Sequence, residues 1–136
     1  MLPSEYKMMD MKADPQVVLL LEGDLPSAAL YHRELSCDCS VLVCLTEAEA
    51  QSALAAGVPA AAVIEPAGLG ARGWEMIARL VERNVPVIVC STLDERKMGL
   101  ELGATRYLVK PVLVSALLQA VREALTKPLN DSPPST

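Results

Sequence analysis

The sequence lacks any apolar run long enough to cross a membrane, since its longest continuous apolar stretches have the length of single strands. The first 15 residues, MLPSEYKMMDMKADP, also lack the apolar core of a signal peptide and include acidic residues. These absences argue against the membrane-spanning and secreted classes. We therefore expect a soluble cytoplasmic protein with no membrane partner.

The sequence also lacks a cluster of basic residues. Its 12 lysines and arginines are scattered along the chain and are outnumbered by 17 acidic residues, which gives a formal net charge of -5. Nucleic acids and anionic membranes bind concentrated positive charge, so we expect no direct nucleic-acid partner.

Cysteine and histidine are too few and too poorly spaced for a structural zinc site. Cys37 and Cys39 form a single C-x-C pair, Cys44 and Cys90 stand apart, and His32 is the one histidine. A tetrahedral zinc site needs four such ligands. With 136 residues and 51% hydrophobic composition, the chain can bury a single core without disulfides, so we expect reduced thiols in one domain.

What the sequence does contain is a regular alternation of apolar runs and helix-like segments. Each run has strand length and continuous aliphatic character, which is typical of strands buried on both faces of a parallel sheet. The five predicted strands cover residues 16–21, 40–45, 60–64, 85–90 and 106–109.

Helix signals separate the predicted strands. Pro26 precedes a helix over 27–35, and a capping-box pattern opens the second helix at Thr46. The third predicted helix has an apolar stripe formed by Trp74, Ile77, Ala78 and Val81, and the last has one formed by Val114, Leu117, Leu118, Val121 and Leu125. Residues 1–15 and 127–136 have no such pattern, so we expect a flexible N-terminal tail and a disordered tail or linker.

Five strand-helix units in alternation predict an α/β domain over residues 16–126. It would contain a doubly wound five-stranded parallel sheet with helices on both faces, for which 2-1-3-4-5 is a common strand order. Ligand sites in such sheets form outside the carboxyl ends of the strands. Polar residues stand at those predicted ends, namely Glu22, Asp24, Glu65, Ser91, Thr92 and Lys110.

Residues 99–111, GLELGATRYLVKP, resemble the run into the fifth strand of the receiver domain of two-component response regulators, which has a flavodoxin-like fold. The resemblance covers roughly residues 16–126. It implies a signalling domain of a phosphorelay that acts as a protein-interaction module, without turnover chemistry of its own. The partners it implies are a histidine kinase, an output protein, or a second copy bound through the fourth-helix, fifth-strand and fifth-helix face.

The resemblance also implies roles for individual residues. Lys110 would contact a phosphoryl group, and Tyr107 would be the aromatic residue that changes its rotamer when the domain switches. The switch hydroxyl would be that of Ser91, although spacing alone does not distinguish Ser91 from Thr92. Glu65 falls at the phosphoacceptor position, where the family has an aspartate.

Three departures from the family pattern bear on function. Glu65 is one methylene longer than aspartate, and a displacement of about 1 Å can cost about 10²-fold in a positioned reaction. A glycine separates Glu22 from Asp24 where the family has adjacent acids, so this acidic pocket and Glu65 offer Mg²⁺ only a weak site. The segment between Ser91 and Lys110 is short, which trims the fourth helix. The sequence therefore predicts a degenerate pseudo-receiver.

Two alternatives remain open. One is a phosphorylatable, Mg²⁺-dependent receiver that uses Glu65 or Asp24. The other is a nucleotide-binding α/β domain, because the segment from Gly68 to Gly73 spells G-x-G-x-x-G between a strand and a helix. That motif follows the third strand instead of the first, and its preceding Glu65-Pro66 pair would repel a phosphate and remove a donor. His32 is expected to be an ordinary surface residue.

Overall fold

Five parallel strands alternate with five α-helices in the computed structural model, which describes residues 16–69 and 71–126. The strands, β1 to β5 in chain order, are Val17–Leu21, Ser40–Cys44, Ala61–Ile64, Val87–Ser91 and Arg106–Val109. The predicted tails over 1–15 and 127–136, together with Gly70, lie outside the described residues.

The helices connect the strands in the order that the sequence predicts. The helices α1 to α5 are Leu25–Leu35, Glu47–Ala56, Ala71–Glu82, Arg96–Glu101 and Val114–Thr126, and a single 3-10 turn spans Ala67–Leu69. The strands lie in the order β2-β1-β3-β4-β5, and all four neighbouring pairs are parallel. This confirms the predicted doubly wound sheet and its 2-1-3-4-5 order. Over the described ranges, no helix is both long and apolar enough to cross a lipid bilayer.

The sheet separates two apolar layers, whereas the composition suggested a single core. Leu19 and Leu21 of β1 pack in the layer with α2 and α3, and Val18 and Leu20 pack in the layer with α1 and α5. Successive strand residues point to opposite faces, so a strand covered on both sides must be continuously apolar. This explains the uninterrupted aliphatic runs of the sequence.

The buried face of α3 differs from the predicted stripe. Trp74 and Val81 belong to that stripe but are only partly buried. Ile77 of the stripe is buried as predicted, but the other buried residues, Gly73, Met76 and Leu80, lie outside the stripe. Gly73 accounts for the shift, because a Cβ at this position would lie 2.9 Å from the Cβ of Pro66. The helix can therefore pack closely on the preceding loop only where it has no side chain.

The fourth strand begins and ends later than predicted. Pro86 lies before the strand, where its missing N–H removes no ladder hydrogen bond, and its carbonyl accepts from the N–H of Ala62. At the other end the strand continues to Ser91, which pairs with Val109 of β5. The extension buries the Ser91 side chain at the carboxyl edge of the sheet.

Candidate functional site at the carboxyl edge of the sheet

An open pocket lies at the carboxyl ends of β1, β3 and β5. Its lining includes five of the predicted site residues, Glu22, Asp24, Glu65, Thr92 and Lys110. Two other predicted residues, Ser91 and Tyr107, are buried outside this lining. The topology thus brings together residues that are up to 88 positions apart in the sequence.

Glu22 follows β1 and is almost completely buried, with 2% of its surface exposed. Its backbone N–H continues the sheet by donating to the carbonyl of Cys44 at 3.0 Å. Its side chain accepts twice, from Lys110 Nζ at 2.8 Å through Oε1 and from the N–H of Asp24 at 3.1 Å through Oε2. Both carboxylate oxygens of Glu22 are therefore engaged.

Glu65 follows β3 and is 8% exposed. Its Oε2 accepts from the N–H of Ala67 at 2.8 Å, and its Oε1 accepts from the N–H of Thr92 at 3.2 Å. The same Oε1 lies 3.4 Å from Lys110 Nζ, so these two side chains form an ion pair. One carboxylate thus connects the loop after β3, the loop after β4 and the end of β5.

Lys110 is held between the two glutamates. Its backbone N–H donates to the carbonyl of Ser91 at 2.8 Å, and its ammonium lies 5.8 Å from the ring centre of Tyr31. Burial alone would lower the pKa of Lys110, but its hydrogen bond to Glu22 and the negative charges of Glu22 and Glu65 outweigh burial and raise it. We call Glu22, Glu65 and Lys110 the charged cluster.

Asp24 lines the pocket but uses its carboxylate to cap α1. Its Oδ2 accepts from the N–H of Ser27 at 3.1 Å and from the Ser27 hydroxyl at 2.6 Å, and these bonds lower the pKa of Asp24. Because Asp24 is the N-cap, α1 begins at Leu25, two residues earlier than predicted, with Pro26 in its first turn.

The carboxylates of the pocket do not fit a divalent cation in this arrangement. In the part of the chain that the structure describes, no three His, Cys, Asp or Glu side chains are grouped so as to hold a metal ion. Glu22, Asp24 and Glu65, predicted as a weak Mg²⁺ site, are not grouped in that way here, and a metal role for them stays a prediction. An ammonium already lies between Glu22 and Glu65, and the Asp24 carboxylate is committed to Ser27. Magnesium requires near-ideal octahedral oxygen geometry, which these contacts do not offer.

Ser91 and Tyr107 contact the β4–α4 loop, residues 92–95. The Ser91 hydroxyl accepts from the N–H of Leu93 at 3.1 Å. The Tyr107 hydroxyl donates to the carbonyl of Leu93 at 2.6 Å and accepts from the N–H of Glu95 at 3.1 Å. Both side chains therefore hold the same loop that Glu65 contacts through Thr92, and their switch roles stay predictions.

Two parts of this site have no counterpart in the sequence prediction. The N–H of Ala67 is a backbone donor, and no side-chain pattern indicates where such a donor points. Tyr31 lies in the middle of α1, where burial raises its pKa and its hydroxyl lies 3.8 Å from the Cys90 sulfur. Its position on the α1 face toward β1 and β3 could have been found only from a better assignment of that helix face.

The remaining candidate residues lie outside the charged cluster. His32 is exposed on α1, as predicted, and the cysteines 37, 39, 44 and 90 are free thiols. Gly73, the last glycine of the G-x-G-x-x-G pattern, lies inside α3, where its lack of a side chain is explained by the contact with Pro66.

The charged cluster gives a pH prediction. The pKa of Lys110 is raised above its ordinary value of 10.5 in the folded protein, so its stabilising contribution is complete below pH 10.5 and is lost as the pH rises through the folded value. We expect the difference in free energy of unfolding between wild type and Lys110→Met to narrow above pH 10.5. Burial also raises the pKa of the Cys44 thiol above its ordinary value of 9.0, so both proteins lose stability as the pH rises above 9.0 for this second reason. The difference between the two proteins is therefore the quantity to measure in denaturant titrations. A difference that stays constant to high pH would contradict the prediction.

Comparisons with known proteins give sequence matches over part of the chain and fold matches over most of it. No family model matches the chain. The transcriptional regulatory protein CusR of Escherichia coli is 38% identical over 60 residues, which cover 40% of this chain and 26% of CusR. The probable transcriptional regulatory protein SilR of Salmonella typhimurium is 40% identical over a stretch of the same length. The matched part of the chain thus spans about a quarter of the length of these curated relatives.

Several solved structures that resemble this chain are response regulators or their receiver domains. The receiver domain of the Francisella response regulator 1452 has a TM-score of 0.74 at 23% identity, covering 84% of this chain and 98% of that one. A CheY-like receiver domain protein from Methanospirillum hungatei has a TM-score of 0.77 at 17% identity, covering 88% and 100%. A Burkholderia pseudomallei response regulator with a phosphorylated aspartic acid, calcium ion and citrate has a TM-score of 0.70 at 19% identity, covering 89% and 75%. The fold of this chain is that of response regulator receiver domains.

Proposed function

We propose that this chain is a receiver-like signalling domain of a two-component phosphorelay that acts as a protein-interaction module without aspartate phosphorylation. The observation that carries the proposal is the set of contacts made by Glu65. Its carboxylate accepts from the backbone N–H groups of Ala67 and Thr92 and pairs with Lys110. Glu65 is therefore a permanent occupant of the place where a phosphoryl group would be bound.

The donors around Glu65 are the reason for this assignment. A phosphoryl group adds a charge of about -1.5 to -2 and three strong acceptor oxygens, which need donors and positive charge to stabilise them. Here the two backbone donors and the ammonium already serve the carboxylate of the chain itself. The Glu65 carboxylate therefore makes contacts of the kind that a phosphoryl group would make, although it carries less charge than a phosphate.

The charged cluster also supports a domain that needs no metal cofactor. Lys110 supplies positive charge next to Glu22 at 2.8 Å and Glu65 at 3.4 Å. A divalent cation would have to displace this ammonium or draw Asp24 away from the cap of α1. We therefore propose that the domain functions without Mg²⁺, or binds it only weakly.

We propose protein partners for this domain: a histidine kinase, an output protein, or a second copy of the chain. The surface formed by α4, β5 and α5 is the proposed contact. Met98 and Leu100 of α4 expose apolar side chains on this surface, and Leu93 exposes one in the loop before α4. Residues 16–126 form the proposed functional unit, located in the cytoplasm, with 1–15 and 127–136 as tails or linkers. We propose no direct contact of this domain with nucleic acid or a membrane.

A phosphorylatable receiver is the second candidate, because Glu65 lies at the end of β3 in an open pocket beside a lysine. Treatment with Mg²⁺ and a small acyl-phosphate donor, followed by intact mass measurement, separates the two. We expect no phosphoryl adduct on the wild-type chain under conditions that fully modify an active receiver domain measured alongside.

The matched variant for this experiment is Glu65→Gln. An adduct on wild type that disappears in Glu65→Gln would identify Glu65 as a phosphoacceptor and contradict the proposal. An adduct that persists in Glu65→Gln but disappears in Asp24→Asn would contradict it equally, with Asp24 as the acceptor.

A further inference from the structure

We propose that Gly99 is a positioning residue for Tyr107. Because Gly99 has no side chain, the Tyr107 ring can pack inward against the backbone of α4, and this packing sets the shape of the α4–β5 surface. Gly99 lies in α4 and is buried. A Cβ at this position would lie 2.6 Å from Cδ2 and 2.9 Å from Cε2 of Tyr107. Such distances are shorter than carbon atoms tolerate, so the tyrosine ring occupies the space that any side chain at position 99 would need.

The inward position is also fixed at the far end of the ring. The Tyr107 hydroxyl donates to the carbonyl of Leu93 and accepts from the N–H of Glu95, so it bonds to two residues of the β4–α4 loop. The edge of the ring therefore packs against the backbone of α4, and its hydroxyl bonds to the loop that precedes this helix. Only 8% of Tyr107 is exposed.

The same loop connects Tyr107 to Glu65. The N–H of Thr92 donates to Glu65, and the carbonyl of the next residue, Leu93, accepts from Tyr107. Contacts on adjacent residues of one short loop thus join the charged cluster to the α4–β5 surface. For its meaning in signalling this inference rests on the proposed function, but the packing of Gly99 against Tyr107 can be tested without it.

The test is the direction in which Gly99→Ala changes the unfolding midpoint. Alanine in place of a helical glycine normally stabilises a protein, so helix propensity alone predicts a higher unfolding midpoint. The proposed contact predicts the opposite, a lower midpoint, because the ring must leave its place. With the ring displaced, amide exchange at Glu95 should become about tenfold faster, since its N–H loses the Tyr107 hydroxyl.

The fluorescence of Trp74 is a second readout, and a loss of stability elsewhere in the domain would not change it. Trp74 is the one tryptophan of the sequence, and its Cζ3 lies 3.7 Å from the position of a Cβ on Gly99. We expect a shift of its fluorescence in Gly99→Ala under conditions where the variant is folded. Gly57→Ala is the matched control, because a Cβ at Gly57 meets nothing within 4 Å. It should change neither Glu95 exchange nor Trp74 fluorescence.

The decisive comparison is made in a Tyr107→Ala background. Without the ring, Gly99→Ala has room for its methyl group and should raise the unfolding midpoint, which reverses the sign seen with Tyr107 present. If Gly99→Ala alone does not fold, the double variant is compared with Tyr107→Ala alone: a double variant at least as stable as Tyr107→Ala supports the inference, and a less stable one overturns it. It is also overturned if Gly99→Ala raises the midpoint of the wild-type background and leaves Glu95 exchange unchanged.

Discussion

Replacing Lys110 by methionine is expected to lower the free energy of unfolding at neutral pH by on the order of 3 kcal/mol. Its ammonium contacts Glu22 at 2.8 Å and Glu65 at 3.4 Å, and 13% of its side chain is exposed. Methionine has a similar length but no charge, so both carboxylates would remain at the edge of the core without a cation. Removing one member of a buried charged group costs more than the group contributes as a whole, because the remaining charges are uncompensated.

The control for this loss is a triple variant, Lys110→Met with Glu22→Gln and Glu65→Gln. It removes all three charges at similar side-chain volume and should recover most of the lost stability in urea titrations. Lys97→Met, at an exposed position on α4, controls for the loss of a lysine as such and should change stability little. If Lys110→Met is no less stable than Lys97→Met, the charged cluster does not stabilise the fold in the way proposed.

Replacing Glu65 by alanine is expected to lower the free energy of unfolding by about 2 kcal/mol, through loss of hydrogen bonds that a charged acceptor makes. The N–H groups of Ala67 and Thr92 would lose their acceptor, and Lys110 would keep only Glu22. Because the Thr92 bond holds one end of the β4–α4 loop, amide exchange in that loop should also accelerate.

Glu65→Gln provides the graded comparison for this prediction. Its side-chain oxygen can still accept a backbone N–H, while the negative charge beside Lys110 is gone, so its loss of stability should be smaller than that of Glu65→Ala. Glu75→Ala, at an exposed position on α3, is the control for removing a glutamate. Equal stability of Glu65→Ala and Glu75→Ala would show that the Glu65 contacts contribute nothing.

The sequence predicted the sheet and the approximate location of the site for physical reasons. Strands covered on both faces must be continuously apolar, so β1 and β3 could be recognised from their composition. The carboxyl ends of parallel strands meet at one edge of the sheet, so the sequence alone predicts that Glu22, Glu65 and Lys110 lie close together. The structure adds that Lys110 forms ion pairs with both Glu22 and Glu65.

Side-chain direction at the site was not predictable in the same way. Glu22 makes the shorter contact with Lys110, and Asp24 turns its carboxylate to Ser27, because a helix N-terminus competes with the pocket for that acid. The predicted Mg²⁺ ligands are therefore used in other contacts. A sequence lists carboxylates at the end of a strand but does not indicate which of several nearby donors each one accepts from.

The faces of the helices were also only partly predictable. Periodicity placed a stripe on α3 but missed Gly73 as a buried position, because the hydrophobic pattern ignores residues without a side chain. Gly99 was missed as a packing position for the same reason, although it lies in the segment that carries the family resemblance. In both cases the glycine is explained by what lies against it, Pro66 in one and Tyr107 in the other.

Backbone amide exchange at Ala67 and Thr92 in the wild-type chain tests the central claim most directly. If the Glu65 carboxylate is a permanent occupant of the pocket, both amides are bonded to it without any phosphoryl donor or metal, and both should exchange slowly. Both should then accelerate together in Glu65→Ala, while amides in the middle of β1 change only as far as global stability does. Fast exchange of both amides in wild type, or slow exchange that persists in Glu65→Ala, would contradict the account.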